Sequence, residues 1–280
     1  MLKKEHELRV AENSSLARNP ADSCTSVRAL KGAKGTLPDL SVTSVAAVSA
    51  KGRASGAEER IILVGTSDNE LLLFSTGAKE VALLHQAHAH GDVSALAAHP
   101  SKHLIATTGG DATVRVWGAE ERACVALGFP QMDAAKARLT SVEWAPRAFH
   151  EHHIAAGTSD GAVAIMVFTA GKAQLQPMPL DVPEQDRAAR ARGAVTALRY
   201  SPDALWLAVG YACGHIDILD TQNAYQYAAV CAPAPTDGPP GAPPPPERAV
   251  RVLDWAADSG TLQVPPPLVL SGHAASLTPY

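Results

Sequence analysis

Apolar residues in this chain fall at alternate positions over short stretches, and residues that turn the backbone stand between the stretches. One segment sets the pattern: Val93-Ser-Ala-Leu96-Ala-Ala-His99-Pro100, then Leu104-Ile105-Ala-Thr-Thr-Gly109-Gly110-Asp111, then Val114-Arg115-Val116-Trp117. A period of two places side chains on one face of a strand, and Pro, Gly and Asp break the run. The pattern predicts a strand, a Pro turn, a second strand, a Gly/Asp turn, and an alternating strand ending in an aromatic residue.

The frame recurs. Val93, Leu139, Val195 and Val250 each stand seven residues before a turn position (Pro100, Pro146, Pro202, Ala257), with Leu96, Val142, Leu198 and Leu253 three residues on from each start. Ile62, Ile105, Ile154 and Leu207 each stand six residues before Asp68, Asp111, Asp160 and Cys213, and six further on come Phe74, Trp117, Met166 and Leu219. The second-turn positions are separated by 43, 49 and 53 residues, close to the roughly 40–45 of a WD40 blade with inserted loops. Blades are expected over about 42–78, 88–120, 136–170 and 193–222, with a fifth that begins at Val250 and stops short. The predicted fold is all-β, a WD40-type β-propeller in part: about four blades plus an incomplete fifth. Rings close with about four to eight blades, so the expectation is part of a longer propeller.

Residues 1–41 are expected to be a poorly ordered or peripheral segment, 42–263 the blades, and 264–280 an irregular tail. Segments 171–191 and 232–247 read as lengthened connections. The second is Pro/Gly-rich, cannot donate backbone hydrogen bonds along its prolines, and suits a solvated loop.

Hydrophobic residues at 46 % and charged residues at 19 % fit a folded chain, and with 5 % aromatics the core must rest on Ala, Val, Leu and Ile. A net charge of −4 leaves no basic excess for phosphate backbones, so no nucleic-acid partner is expected. Cys24, Cys124, Cys213 and Cys231 form no CxxC pair, which fits a reduced compartment rather than a disulfide framework or structural zinc. No apolar run approaches the ~20 residues of a membrane span, and Met1–Glu7 lacks the apolar stretch of a signal peptide. The expectation is a cytoplasmic protein with no membrane partner and no cofactor.

Ile62-Leu-Val-Gly-Thr66, Leu96-Ala-Ala-His-Pro100, Tyr200-Ser-Pro-Asp203 followed by Leu207-Ala-Val-Gly210, and Leu253-Asp-Trp255 followed by Leu262-Gln263 occur in that order. The ordered set resembles the second, atypical propeller of the echinoderm microtubule-associated protein-like (EMAP-like) family, over about residues 42–263. The resemblance implies a non-catalytic scaffold that binds tubulin or microtubules, other proteins through propeller faces, and a place on the cytoskeleton. In WD40 blades a histidine such as His88 hydrogen-bonds through a Ser or Thr to the Asp of the tight turn, here Asp111, with Trp117 completing the chain, so these three are expected to be structural.

Several groups invite a chemical reading. Gly157-Thr-Ser159-Asp-Gly161 fits the G-x-S-x-G of a serine hydrolase, which would make Ser159 a nucleophile. That motif needs a helix after the turn, whereas Ala162–Val167 alternates as a strand, and Gly65-Thr-Ser-Asp-Asn69 repeats the turn, so a tight turn explains it better. His150, His152 and His153, and His85, His88 and His90, resemble metal clusters, yet zinc wants three or four converging ligands and both groups fall in loops; no metal is expected. Trp144 and Trp255 share one frame position and are expected to pack between blades, while Trp206, just before a strand, is the candidate contact residue. Lys3, Lys4, Arg9, Arg18, Arg28, Lys31 and Lys34 make the N-terminal stretch mildly basic, which would favour an acidic tubulin surface.

Overall fold

The computed structural model describes residues 42–51, 57–67, 69–75, 81–84, 87–88, 92–130, 137–146, 152–178, 192–231, 249–256, 261–263 and 275–276. Every regular element among them is a strand. The expected segment 1–41 and the Pro-rich 232–247 lie outside the described residues.

Strands β1 (Val42–Lys51), β2 (Glu58–Thr66), β3 (Leu71–Ser75) and β4 (Val81–Leu84) form the first blade. β5 (Val93–Ala98), β6 (Leu104–Gly109), β7 (Val114–Gly118) and β8 (Ala123–Gly128) form the second, and β9 (Leu139–Trp144), β10 (His153–Thr158), β11 (Val163–Val167) and β12 (Gln176–Met178) the third. The fourth is β13 (Val195–Tyr200), β14 (Trp206–Tyr211), β15 (Ile216–Asp220) and β16 (Gln226–Cys231). A three-stranded fifth sheet has β17 (Asp254–Trp255), β18 (Thr261–Gln263) and β19 (Ala275–Ser276). The chain is therefore all-β, with four four-stranded antiparallel meanders and a shorter fifth.

The two offset series in the sequence are cross-strand partners. Ile62 faces Phe74, Ile105 faces Trp117, Ile154 faces Met166 and Leu207 faces Leu219. Each blade also has an outer fourth strand beyond the expected three. β12 runs through the segment expected to be only a lengthened connection, and β19 pairs with β18 inside the expected irregular tail. β12 and β19 escaped notice because Gln-Pro-Met and Ala-Ser carry no alternation.

All four full blades share a bulge in the first strand. Thr43, Ser94, Thr140 and Thr196 are each skipped in the pairing with the second strand. A bulged residue leaves the ladder and re-aims its side chain, and the three threonines are turned toward the next sheet. The Thr43 hydroxyl donates to the Val93 carbonyl, Thr140 to Val195 at 2.7 Å, and Thr196 to Val250 at 2.5 Å.

Two compact units are formed, Met1–Leu127 with Gly171–Gln174, and Gly128–Ala170 with Leu175–Tyr280. In the first, Ile61, Leu63, Leu71 and Leu73 on one face of blade 1 pack with Val93, Ile105 and Trp117 of blade 2. In the second, Ala155 and Ile165 of blade 3 meet Val195, Leu198, Leu207, Val209 and Leu219 of blade 4. Ala208 and Ile218 on blade 4's other face meet Val250, Leu253 and Leu262 of the fifth sheet. Within each unit the core thus lies in layers between consecutive sheets.

Candidate functional site

The most polar buried site belongs to blade 2. His88 stands ahead of β5, Thr107 lies on β6, Asp111 and Thr113 flank the β6–β7 turn, and Trp117 closes β7. Trp117 Nε1 donates to Thr107 Oγ1 at 3.0 Å, and Thr107 Oγ1 stands 2.9 Å from His88 Nε2. His88 Nδ1 is 2.8 Å from Asp111 Oδ1 and 3.1 Å from Thr113 Oγ1. Burial lowers the His88 pKa, against the opposing pull of Asp111. A neutral ring protonated on Nδ1 leaves one consistent ordering: Trp117 to Thr107, Thr107 to His88, His88 to Asp111. Asp111 also accepts from the Thr113 amide and hydroxyl, at 3.1 and 2.7 Å, and from Arg115 Nη2 at 2.9 Å.

The expected link from His88 through a hydroxyl to Asp111 runs by Thr113, at 3.1 and 2.7 Å. His88 also meets Asp111 directly, and a second hydroxyl, Thr107, joins it to Trp117. Thr107, Thr113 and Arg115 were not singled out from the sequence, because Thr is common on strands and Arg115 occupies an ordinary alternating position.

The backbone of His88 is gripped from blade 1. The Asn69 side chain takes the His88 amide at 2.8 Å and donates to the His88 carbonyl. Beneath the ring, a Cβ added at Gly109 would stand 2.3 Å from His88 Cγ, so only glycine fits there.

Against known families, the model of the WD domain, G-beta repeat, matches residues 81–118. Residues 81–118 are a WD40 repeat. It begins on β4 of blade 1 and ends at Gly118 of β7, so one WD40 repeat takes the outer strand of one sheet and three strands of the next. Among solved structures, the chain is similar to the β-propeller domain of Cps50 (Swd1) from Myceliophteria thermophila, at 14 % identity and a TM-score of 0.54. That likeness covers 81 % of this chain and 64 % of that one. Together the two findings show a WD40-type β-propeller fold with a WD40 repeat over residues 81–118.

Outside the WD40 repeat, the other candidates fall as follows. Ser159 lies in the turn joining β10 to β11, a strand-to-strand hairpin with no following helix, and its hydroxyl accepts from the Arg138 amide at 2.9 Å. Thr158 and Asp160 complete the turn at 2.5 Å. His150, His85 and His90 lie outside the described residues. The His152 ring packs 6.3 Å from that of Phe168, and His153 Nδ1 is 3.0 Å from the Tyr225 hydroxyl. Among the described residues no three His, Cys, Asp or Glu converge as metal ligands. Trp144 and Trp255 are buried, and Trp255 Nε1 donates to the Arg199 carbonyl at 3.1 Å. Trp206 is half-buried and packs against the Ala208–Ile218 layer.

Blade 4 has a buried polar cluster that sequence reasoning missed. Asp217 is fully buried and paired with Arg192, whose guanidinium lies 5.6 Å from the centre of the Tyr211 ring. Burial raises the Asp217 pKa against the pull of Arg192. A second link joins Tyr200 and Tyr225 hydroxyls at 3.0 Å and continues to His153 of blade 3. Their signals were hidden: Arg192 sits in the connection before β13, and Asp217 interrupts an apolar alternation at the position where blade 2 has Arg115.

Glu143, Arg199 and Asp254 occupy the same frame position on β9, β13 and β17. Arg199 reaches Glu143 at 3.1 Å and Asp254 at 3.5 Å. Burial pushes the Glu143 pKa up to about 7, opposed by Arg199. Exposed apolar side chains among the described residues, the usual material of protein contacts, are Phe129, Val230 and Val252 in the second unit and Val42, Val45 and Leu127 in the first.

Proposed function

We propose that this chain is a non-catalytic protein-interaction scaffold whose partner is tubulin or the microtubule lattice. The scaffold part follows from what the reactive groups do. His88, Asp111 and Ser159 are each spent on hydrogen bonds that hold a blade or a turn, and a WD40 propeller presents its loops and faces for binding while the blades stay fixed. The microtubule part rests on one observation, the ordered set of phrases from Ile62-Leu-Val-Gly-Thr66 to Leu262-Gln263 that resembles the second propeller of EMAP-like proteins. On this reading the protein works in the cytoplasm, on the cytoskeleton, with Trp206 a contact residue.

A second reading is favoured by the WD40 match itself, which carries no microtubule content: a general scaffold within a multiprotein complex. Co-sedimentation of the purified full chain with polymerised tubulin across a salt series separates the two, with light scattering to establish that the sample is monodisperse. Saturable, salt-sensitive pelleting is the expected result. A folded chain that stays in the supernatant at every salt concentration overturns the microtubule reading and leaves the general scaffold. Ser159 as a hydrolase nucleophile makes the opposite forecast, covalent labelling by a serine-directed reagent that a Ser159→Ala variant loses.

A further inference from the structure

Three free cysteines lie among the described residues, Cys124, Cys213 and Cys231, and each is half-buried. Their surroundings differ. The Cys124 thiol donates to the Ala126 carbonyl at 3.4 Å, a bond that keeps the proton on sulfur. Cys231 ends β16, where burial and the nearby Asp217 carboxylate raise its pKa. Cys213 has a base on its sulfur: His215 Nδ1 is 3.0 Å from Sγ. Thiol and base within hydrogen-bond reach are the elementary parts of an activated nucleophile.

The frame explains how the thiol came to be there. Cys213 takes the second-turn place that Asp111 and Asp160 hold in blades 2 and 3. Those carboxylates bond a hydroxyl of their own turn, Thr113 at 2.7 Å and Thr158 at 2.5 Å. In blade 4 the turn closes through its backbone. The Gly214 amide donates to the Tyr211 carbonyl and the Tyr211 amide to the His215 carbonyl, both at 3.0 Å. The thiol is left to a titratable ring two residues on. Arg192, in the connection before β13, and Asp217, on β15, are the charged groups that act on that ring. Burial and Arg192 lower the His215 pKa against the pull of Asp217, so the ring is neutral near pH 7. Protonated on Nε2, it has its Nδ1 lone pair open to the thiol proton. Asp217 is fully buried, and its Oδ2 has no hydrogen-bond partner. Its charge stabilises the imidazolium that proton uptake creates.

We propose that Cys213, with His215 as its base, is a modification site that exchanges with small aliphatic disulfides to form a reversible mixed disulfide. His215 Nδ1 takes the thiol proton, and the sulfur electron pair attacks one sulfur of the disulfide. The new S–S bond forms as the old one breaks, and the departing thiolate takes the proton back from His215. Cys213 is oxidised and one half of the disulfide is reduced to its thiol, so the step needs no further reagent. The added group stands at the β14–β15 turn, at the end of blade 4 where β13 begins and β16 ends. A transient bond of this kind suits a thiol kept reduced between events.

The probe is oxidised glutathione, added to the reduced full chain at pH 7, with each cysteine followed on its own peptide by mass spectrometry. Cys213 is expected to form the mixed disulfide at least about tenfold faster than Cys124 and Cys231, and dithiothreitol to reverse it. His215→Gln is expected to slow Cys213 by about tenfold or more and to leave the Cys124 rate unchanged. Reaction at Cys213 no faster than at Cys124, or a His215→Gln variant that keeps the full rate, overturns the proposal. Should that substitution open the blade, seen as faster reaction at Cys231, the unaltered chain decides through pH. Above the ordinary thiol pKa of about 8.5 a thiol ionises without help, so the ratio of the Cys213 to the Cys124 rate is expected to be larger at pH 7 than at pH 9. A ratio that stays constant over that range overturns the proposal. The assay contains no tubulin, so its outcome is separate from the microtubule reading.

Discussion

Blades 2 and 4 solve one problem in opposite ways. Both bury polar groups between apolar layers, and buried polar groups are costly unless they are paired. Blade 2 uses neutral links, Trp117 to Thr107 to His88, ending on an Asp111 that has four donors around it, one of them the charged Arg115. Blade 4 uses an ion pair, Arg192 with Asp217, and a separate pair of tyrosine hydroxyls. At the shared position on the third strand blade 2 has Arg115 and blade 4 has Asp217, so the sign of the charge is reversed and the partner comes from the other side of the turn. A blade therefore requires a closed set of hydrogen bonds rather than a fixed set of residues, and a motif written for one blade misses its neighbour.

The comparison breaks most sharply at Asp217. Asp217→Ala leaves the Arg192 guanidinium without its buried counter-charge, and loss of one member of a buried pair costs about 3–5 kcal/mol. Urea unfolding followed by tryptophan fluorescence should show a loss of that order; a loss under about 1 kcal/mol would mean that Arg192 finds water instead. In blade 2, His88→Leu fills similar space but leaves Thr107 and Asp111 each short of a partner, for about 2–3 kcal/mol in the same assay. Trp117→Phe removes the Nε1 donor and also leaves a cavity where the larger indole was buried, for about 2 kcal/mol or more. Tyr225→Phe in blade 4 removes the hydroxyl alone and is expected to cost about 1–2 kcal/mol. Combining His88→Leu with Trp117→Phe should fall short of additivity, because both cut one chain of bonds, whereas Trp117→Phe with Tyr225→Phe should add.

The two regions also answer differently to pH. The His88 pKa is lowered in the fold, so the unfolded chain takes up the proton first. Its contribution is complete above the ordinary histidine pKa of about 6.5 and is lost as pH falls below it. Glu143 runs the other way. Its pKa is raised to about 7 by burial, so the folded chain holds the proton longer and stability declines as pH rises from the ordinary carboxylate range through 7. Glu143→Gln is expected to raise the melting midpoint more at pH 8 than at pH 5, and His88→Leu to flatten the acid side of the profile. Equal shifts at both pH values would remove Glu143 from this account.

The repeat was legible because alternation, turn residues and cross-strand partners are all written in one dimension. The offsets that linked Ile105 to Trp117 and Leu207 to Leu219 in the sequence are pairs across a hairpin in space. His88, Asp111 and Trp117 could be placed in one site because that blade keeps the residue types of its family. Thr107, Arg192, Asp217 and Tyr225 could not, since their roles depend on which sheet face they meet. The Val-Thr openings at Val42-Thr43 and Val195-Thr196, with Leu139-Thr140 and Val93-Ser94 beside them, were visible but unread. A hydroxyl after a valine signals nothing until a bulge turns it to the next sheet.

The smallest effect sharpens the comparison at the second turn, where all four blades need a left-handed residue. Asn69, Ala112, Gly161 and Gly214 stand at the same place with φ of 63°, 58°, 91° and 90°. Two blades use glycine, which adopts that conformation freely, and blade 1 uses asparagine, which tolerates it. Blade 2 alone holds an alanine there, at a conformational cost of about 1–2 kcal/mol. Ala112→Gly would relieve that strain but would give up a buried methyl, worth about 0.8 kcal/mol, and would loosen the unfolded chain by about 0.4–1 kcal/mol. The terms nearly cancel, so the expected change is under about 1 kcal/mol in either direction. Gly214→Ala in blade 4 brings in the strain of about 1–2 kcal/mol, offset in part by about 0.4–1 kcal/mol from a stiffer unfolded chain, and should destabilise by about 1 kcal/mol. If both substitutions cost the same, the strain at Ala112 is already absorbed by the bonds that Asp111 and Thr113 hold on either side of it.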